Sequence, residues 1–430
     1  MDYTLNRESL EGKLQLPSSK SQTLRALIFG FLAEGTSIIQ NPLKNSPDID
    51  SMVSALQALG ASIEKKEGCF HVLGGGGKLN NTHLSMDTGG SGIVYRFITG
   101  LLSLAAGAPT LTDKFLGVKN RPITPLLTAL KNAGSQIEFL EKENALPYKI
   151  LGRPNKNIYS ADGSDSQTVS ALLILAAFRK EPIELHITNP GEIPWIKVTL
   201  KWLRNLGISV THNEDFSKFN VHAKERIEAF NYKVPADYSS LMYPLGMALV
   251  SDSCITIDGI DLNDDQGDKI IVEKLQEMGA KIEVDKKNAQ IRVLKGSSLR
   301  GITIDMSLCI DAIAFFAVMG CFASTGVMRL VNASIARTKE CDRISSTYKE
   351  LKKMGANIRE REDGLIIYPS ALKPATLLCY NDHRMVLALS VAAFGLDEKS
   401  TLKDTACINK TYGSFAKDMN GLGAKIKEIG

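Results

Sequence analysis

The chain has 430 residues, with 51 Lys and Arg against 47 Asp and Glu, a formal net charge of +4, 44% hydrophobic and 23% charged residues. That balance excludes a disordered chain and lacks the basic footprint of a nucleic-acid binder, and at about 150 residues per domain the length fits two to four domains. The longest nearly unbroken apolar stretch, Ile313 to Ala323, is far short of the roughly 18 residues that span a bilayer. The segment MDYTLNRESLEG has no apolar signal core. Seven cysteines without a CxxC pair and six histidines without HxxxH spacing predict neither a disulfide framework nor a metal site, and a reducing cytoplasm is the expected setting.

In chain order, two kinds of predicted helix alternate. Apolar helices rich in Ala and Leu begin near Gln22, Gly92, Gln167, Ser240, Asp311 and Arg384. Being apolar nearly all round, they should be buried. Amphipathic helices follow each of them: MVSALQALGASIE from Met52, LLTALKNAGSQIEF from Leu126, VTLKWLRNLGISV from Val198, IIVEKLQEMGAKIEV from Ile270, STYKELKKMGANIRE from Ser346 and FAKDMNGLGAKIKE from Phe415. Each ends in a glycine, the residue that adopts the left-handed C-cap without a Cβ penalty. These glycines, Gly60, Gly134, Gly207, Gly279, Gly355 and Gly423, are separated by 74, 73, 72, 76 and 68 residues. Six copies of a strand, apolar helix, strand, amphipathic helix, strand, strand unit therefore account for the whole chain. No copy can bury both helices alone, and two bundles of three fit the usual domain size.

The apolar helices open on small polar residues: Pro17-Ser18-Ser19-Lys20-Ser21-Gln22, Thr88-Gly89-Gly90-Ser91-Gly92, Gly163-Ser164-Asp165-Ser166-Gln167, Asp237-Tyr238-Ser239-Ser240, Asp311, and Asn381-Asp382-His383-Arg384. Ser, Asp and Asn are ordinary N-caps. Repeated in six equivalent places, they also present free backbone N–H groups suited to anions. Lys20, Arg25, Arg96 and Arg384 lie at or near these starts, Arg121, Lys339, Arg343 and Lys410 lie in neighbouring turns that lead towards amphipathic helices, and together they would line an anion-binding cleft. The run Gly74–Gly77 is not a phosphate loop, because Lys78 is followed by Leu79 rather than Ser or Thr; it reads as a hairpin turn.

LPSSKSQTLR, GGSGIVYR, NRPI, DSQTVSALL, IDAIA, TKECDR, NDHRM and NKTYG together resemble, in order and spacing, the signatures of the 5-enolpyruvylshikimate-3-phosphate synthase family. The resemblance implies an α/β fold, the two-domain enolpyruvyl transferase fold or inside-out α/β barrel, with three βαβαββ units per domain. It implies one discontinuous domain of residues 1–18 and 235–430, a second of residues 19–234, and an active site in the cleft between them. The implied reaction joins the 5-hydroxyl of shikimate 3-phosphate to C2 of phosphoenolpyruvate, protonates C3 and then expels phosphate, without metal or organic cofactor. By the same resemblance Lys20, Ser21, Arg25, Ser166, Gln167, Asp311 and Lys339 would hold shikimate 3-phosphate. Lys20, Gly92, Arg121, Gln167, Arg343, Arg384 and Lys410 would hold phosphoenolpyruvate. Asp311 would take the hydroxyl proton, Glu340 would deliver a proton to C3 with Lys410 as a possible partner, and Lys20 would assist the departure of phosphate. A cytoplasmic monomer inhibited by glyphosate is also implied.

Several positions depart from the family pattern. Ser18 stands for a usual glycine, Leu24 and Gly90 for usual asparagines, Trp195 for a frequent tyrosine and Ile335 for an asparagine near the shikimate ring. Asp165 replaces a serine that touches the substrate phosphate, and a carboxylate there would repel it; Ser164 is the candidate substitute. Two alternatives stay open on the sequence: the sister UDP-N-acetylglucosamine enolpyruvyl transferases, whose reactive cysteine could here only be Cys69, and a ligand-binding homologue without turnover.

Overall fold

The glycine-spaced repeat is realised as six four-stranded sheets in the computed structural model of the chain, which describes residues 1–80, 84–114, 117–118 and 121–430. The helices among the described residues alternate as expected. They are α1 (Lys20–Leu32) and α2 (Pro47–Ala58), α3 (Gly92–Leu102) and α4 (Thr124–Asn132), and α5 (Ser166–Ala177) and α6 (Ile193–Asn205). There follow α7 (Tyr238–Val250) and α8 (Ile270–Glu277), α9 (Ile313–Cys321) and α10 (Arg343–Lys353), and α11 (His383–Phe394) and α12 (Phe415–Gly421). The odd-numbered helices are the apolar set; α9 and α11 are buried at every position.

One sheet shows the shared order. Ile158–Asp162 leads into α5 and runs parallel to Ile183–Thr188, which follows that helix. Ile183–Thr188 pairs antiparallel with Lys218–His222, and this strand pairs antiparallel with Ser209–His212 after α6. Two strands trade places in the remaining sheets. Glu11–Gln15 precedes α1 in sequence but lies parallel to Cys254–Asp258, beyond α7. Asn231–Lys233 precedes α7 but lies parallel to Glu34–Gln40, beyond α1. The chain accordingly divides into two compact units, one of Met1–Ser19 with Pro235–Gly430 and one of Lys20–Val234. Each has its own core. In the first it gathers around α7, α9 and α11, and in the second around α1, α3 and α5.

All six closing glycines have φ between +76° and +113°, the left-handed region in which a Cβ is costly. Two local expectations change. The Gly74–Gly77 run is only half turn: Gly74 and Gly75 end the strand Cys69–Gly75. Gly74 is there because a Cβ would lie 2.3 Å from the carbonyl oxygens of Gly30 and Ala33. Asp311 does not open an α-helix either. It sits in a 3-10 turn, Ile310–Ala312, and α9 begins at Ile313.

Candidate active site

The residues predicted for the site fall into two groups, one in each unit. In the unit Lys20–Val234 they gather at the first turns of α1, α3 and α5. Lys20, the first residue of α1, pairs with Asp48 at 2.9 Å. Asp48 stands in the first turn of α2 and also accepts a 2.8 Å hydrogen bond from the Ser91 hydroxyl. Ser91 in turn caps α3. One turn along α1, Arg25 donates to the Ser21 hydroxyl at 2.5 Å and to Thr199 at 3.0 Å, and lies 5.3 Å from the Phe97 ring centroid. It is 3% exposed, no described acid pairs with it, and burial pushes its pKa down to about 9. A buried cation without a counter-ion is costly until an anion joins it.

Gly92 opens α3, and a Cβ there would lie 1.9 Å from an Arg121 guanidinium nitrogen. Only glycine lets Arg121 lie against this helix start; its neighbours 119 and 120 fall outside the described residues. Arg96, fully buried, ties this region together. It donates to the Gln167 side chain at 3.2 Å and the Gly92 carbonyl at 3.3 Å, and to the Pro122 carbonyl at 2.7 Å. It also pairs with Asp165 at 2.7 Å. Asp165 is thus not a bare carboxylate. One of its oxygens caps the Gln167 backbone N–H at 2.9 Å, and the other is matched by Arg96. Ser166 is engaged by Glu192, a residue that the sequence signatures did not include, through both its backbone N–H and its hydroxyl.

In the discontinuous unit, Asp311, Glu340, Arg343 and Arg384 form one network. Asp311 meets Arg343 at 2.7 Å and Arg384 at 3.2 Å, one through each oxygen. Arg343 also meets Glu340 at 2.7 Å and Asp382 at 2.7 and 3.2 Å. Asp382 caps α11 by accepting from the Arg384 backbone N–H at 2.8 Å. Buried Asp382 thus orients the Arg343 guanidinium and the helix start that carries Arg384, while Asp311 bridges the two guanidiniums. Arg384 further donates to the Ser239 carbonyl at 3.1 Å, and the Ser239 hydroxyl donates to the buried Asp268. Lys339 and Lys410 are both buried, the latter at the end of the 3-10 segment Thr405–Lys410.

The electrostatics follow from this crowding. Burial opposes ionisation of Asp311, but Arg384, Arg343 and Lys339 outweigh it and hold its carboxyl below the usual range. Burial likewise opposes the charge on Arg343, yet Asp382, Glu340 and Asp311 raise its proton affinity. Asp268 goes the other way: burial, helped by the Asp311 charge, pushes its pKa up to about 7. Asp48, Glu192 and Asp268 all lie at starts of amphipathic helices and all reach a serine at an apolar helix start. They stand 12, 15 and 11 residues before Gly60, Gly207 and Gly279, so no fixed place in the repeat marked them in the sequence.

Groups of this kind, an ionised carboxylate beside a second acid and clustered guanidiniums, suit proton transfer on anionic substrates. The family model for EPSP synthase (3-phosphoshikimate 1-carboxyvinyltransferase) matches residues 5–419. The chain belongs to the EPSP synthase family. A 3-phosphoshikimate 1-carboxyvinyltransferase of Chlamydia caviae is 37% identical over 430 residues, covering 100% of this chain and 95% of that relative. One of Acetivibrio thermocellus is 36% identical and covers 98% of both. An EPSP synthase structure from Acinetobacter baumannii superposes with a TM-score of 0.82 at 23% identity, over 99% of this chain and 100% of the other, which shows the same fold. No helix among the described residues is long and apolar enough to cross a membrane.

Proposed function

We infer that this EPSP synthase family member transfers the enolpyruvyl group of phosphoenolpyruvate to the 5-hydroxyl of shikimate 3-phosphate, a step of aromatic amino-acid biosynthesis. The observation that carries this is the family match from residue 5 to residue 419. The Asp311–Arg343–Arg384–Glu340 network supplies chemistry suited to it.

In the proposed assignment Asp311 is the base. Its carboxyl is ionised at neutral pH but a weak base while Arg343 and Arg384 both hold it. When the carboxylate and phosphate of phosphoenolpyruvate engage those arginines, Asp311 loses partners and gains proton affinity as the 5-hydroxyl attacks C2. Glu340, bonded to the same Arg343, delivers a proton to C3, with Lys410 as its partner. The proton taken by Asp311 and the one given to C3 balance the addition; in the elimination C3 returns a proton to Glu340 while the C2–O bond to phosphate breaks with help from Lys20, and the enol ether forms. Arg121, Arg343, Arg384 and Lys410 neutralise phosphoenolpyruvate, with Gly92 and Gln167 beside it. Ser21, Arg25, Ser166, Gln167 and Lys339 hold the acceptor; the uncompensated charge on buried Arg25 supports an anionic partner there. No resident cofactor is invoked. The seven free cysteines support a reducing, cytoplasmic setting, and a monomer is proposed.

The test is release of inorganic phosphate from phosphoenolpyruvate by the purified chain. Release that requires shikimate 3-phosphate is expected. Release that requires UDP-N-acetylglucosamine instead, or none at all, would overturn the reading.

A further inference from the structure

The first turn of α5 already holds an anion of the chain's own. Both Ser166 donors, the backbone N–H at 3.0 Å and the hydroxyl at 2.9 Å, point to one oxygen of Glu192. Ser166 is proposed above to hold the acceptor, and donors that already meet a carboxylate suit the acceptor's phosphate. We propose that Glu192 is an internal counter-anion in the phosphate seat at Ser166, so that the acceptor's phosphate binds there by displacing its carboxylate. The proposal rests on the acceptor reading given above and makes Glu192 a determinant of acceptor affinity.

Three observations separate Glu192 from an ordinary cap. It makes no capping bond to its own helix, α6. Its backbone is left-handed, at φ +48° and ψ +42°, a conformation strained for a non-glycine residue. The turn that delivers it is built to close tolerance: the Gly191 N–H donates to the Gly163 carbonyl at 2.9 Å, and a Cβ on Gly191 would lie 2.7 Å from the Ser164 carbonyl oxygen. The carboxylate is thereby carried to Ser166 across a separation of 26 residues, and it is 4% exposed.

Asp165 is not the group that yields. Its pairing with the fully buried Arg96 and its cap on Gln167 lock it to α5, and moving it would unpair a buried guanidinium. The two Ser166 donors meet one Glu192 oxygen, and a phosphate oxygen can satisfy them equally well. Arg96 feels the charge of both acids and of Arg121, so two guanidiniums face two carboxylates and this corner is close to neutral while Glu192 is in place. A phosphate arriving with Glu192 unmoved would set like charges side by side, which repel.

The experiment is a titration of inorganic phosphate into the full chain, followed at the Ser166 backbone amide by NMR, for the wild type, Glu192→Gln and Glu192→Ser. Glutamine keeps an oxygen for the Ser166 donors and removes only the charge, so this variant decides the matter even if the serine variant folds poorly. Phosphate affinity at Ser166 should rise by about tenfold or more in Glu192→Gln. The KM for shikimate 3-phosphate should fall in parallel, with the KM for phosphoenolpyruvate unmoved. Unchanged or weaker phosphate binding at Ser166 in Glu192→Gln would overturn the proposal. Failure of the wild type to turn over shikimate 3-phosphate would count against the acceptor reading alone, since the phosphate titration reads Glu192 without it.

Discussion

Asp311 and Asp382 contact the same arginine, yet their substitution should have opposite signatures. Asp311 is partly exposed and bonds to two guanidiniums proposed to receive substrate. Asp311→Ala removes the proposed base while freeing those guanidiniums. Turnover should fall by about 10²–10⁴-fold, whereas the affinity for phosphoenolpyruvate holds or improves; steady-state rates and equilibrium binding separate the two, and an unchanged kcat would remove Asp311 from the mechanism. Asp382 is wholly buried against Arg343. Asp382→Ala leaves Arg343 its bonds to Asp311 and Glu340 but strips two hydrogen bonds from a buried guanidinium and the cap from α11, and should cost about 1–3 kcal/mol of folding stability, read from urea unfolding. The sequence made Asp311, Glu340, Arg343 and Arg384 legible as candidates because each lies in a recognisable motif. It could not show that they share hydrogen bonds, because the contacts join residues 32 and 73 positions apart. Glu192 was illegible for the same reason: nothing in Gly-Glu-Ile-Pro-Trp marks a partner in another helix start. Asp165 shows the converse, a residue that seemed to repel substrate by its type and is neutralised by an arginine whose reach only the fold reveals.

At the scale of elements, the six helix-to-strand glycines were the clearest sequence signal, because a left-handed C-cap leaves a one-residue mark at a fixed place in every repeat. Their cost on substitution should nevertheless differ. At Gly355, φ +87°, a Cβ would approach nothing closer than the Ala371 carbonyl oxygen at 3.9 Å. Gly355→Ala should therefore cost only the backbone penalty, about 1 kcal/mol. At Gly279, φ +101°, the Cβ would lie 2.5 Å from the Ser298 carbonyl oxygen, so Gly279→Ala must cost more; equal losses in urea unfolding would contradict this account. The start of the fifth apolar helix was less legible, since Asp311 has the composition of an N-cap but sits in a 3-10 turn. Asp268, at the foot of α8, gives this unit a pH signature. Its carboxyl titrates near 7 when folded against about 3.9 unfolded, so the folded state binds the extra proton between those values. Stability should then decline as pH rises from about 4 to about 7, by up to about 4 kcal/mol, and level off above. Asp268→Asn should flatten that slope in unfolding measured across the same window.

At the scale of the whole chain, two strand exchanges decide which residues fold together, and neither is visible in local pattern. The strand Asn231–Lys233 could as well have paired beside α7, its neighbour in sequence; it closes instead on Glu34–Gln40. With that strand included, Lys20–Val234 is one continuous stretch with three complete sheets and a core of its own. Expressed alone it should fold and unfold cooperatively. The other unit is interrupted only where that stretch leaves and returns. There Ser18 bridges Ala236 antiparallel, and the Ser19 N–H donates to the Pro235 carbonyl at 2.9 Å. Ser19 and Pro235 are therefore close enough for a short Gly-Ser linker to join them. A chain of residues 1–19, linker and 235–430 keeps the Glu11–Gln15 pairing with Cys254–Asp258 and should fold as well. If the linked unit keeps the Asp311–Arg343–Arg384 network, it should retain weak phosphoenolpyruvate binding while neither half releases phosphate. Calorimetry and ligand titration of the two pieces check this. A linked unit that stays unfolded would mean that its stability depends on the stretch removed.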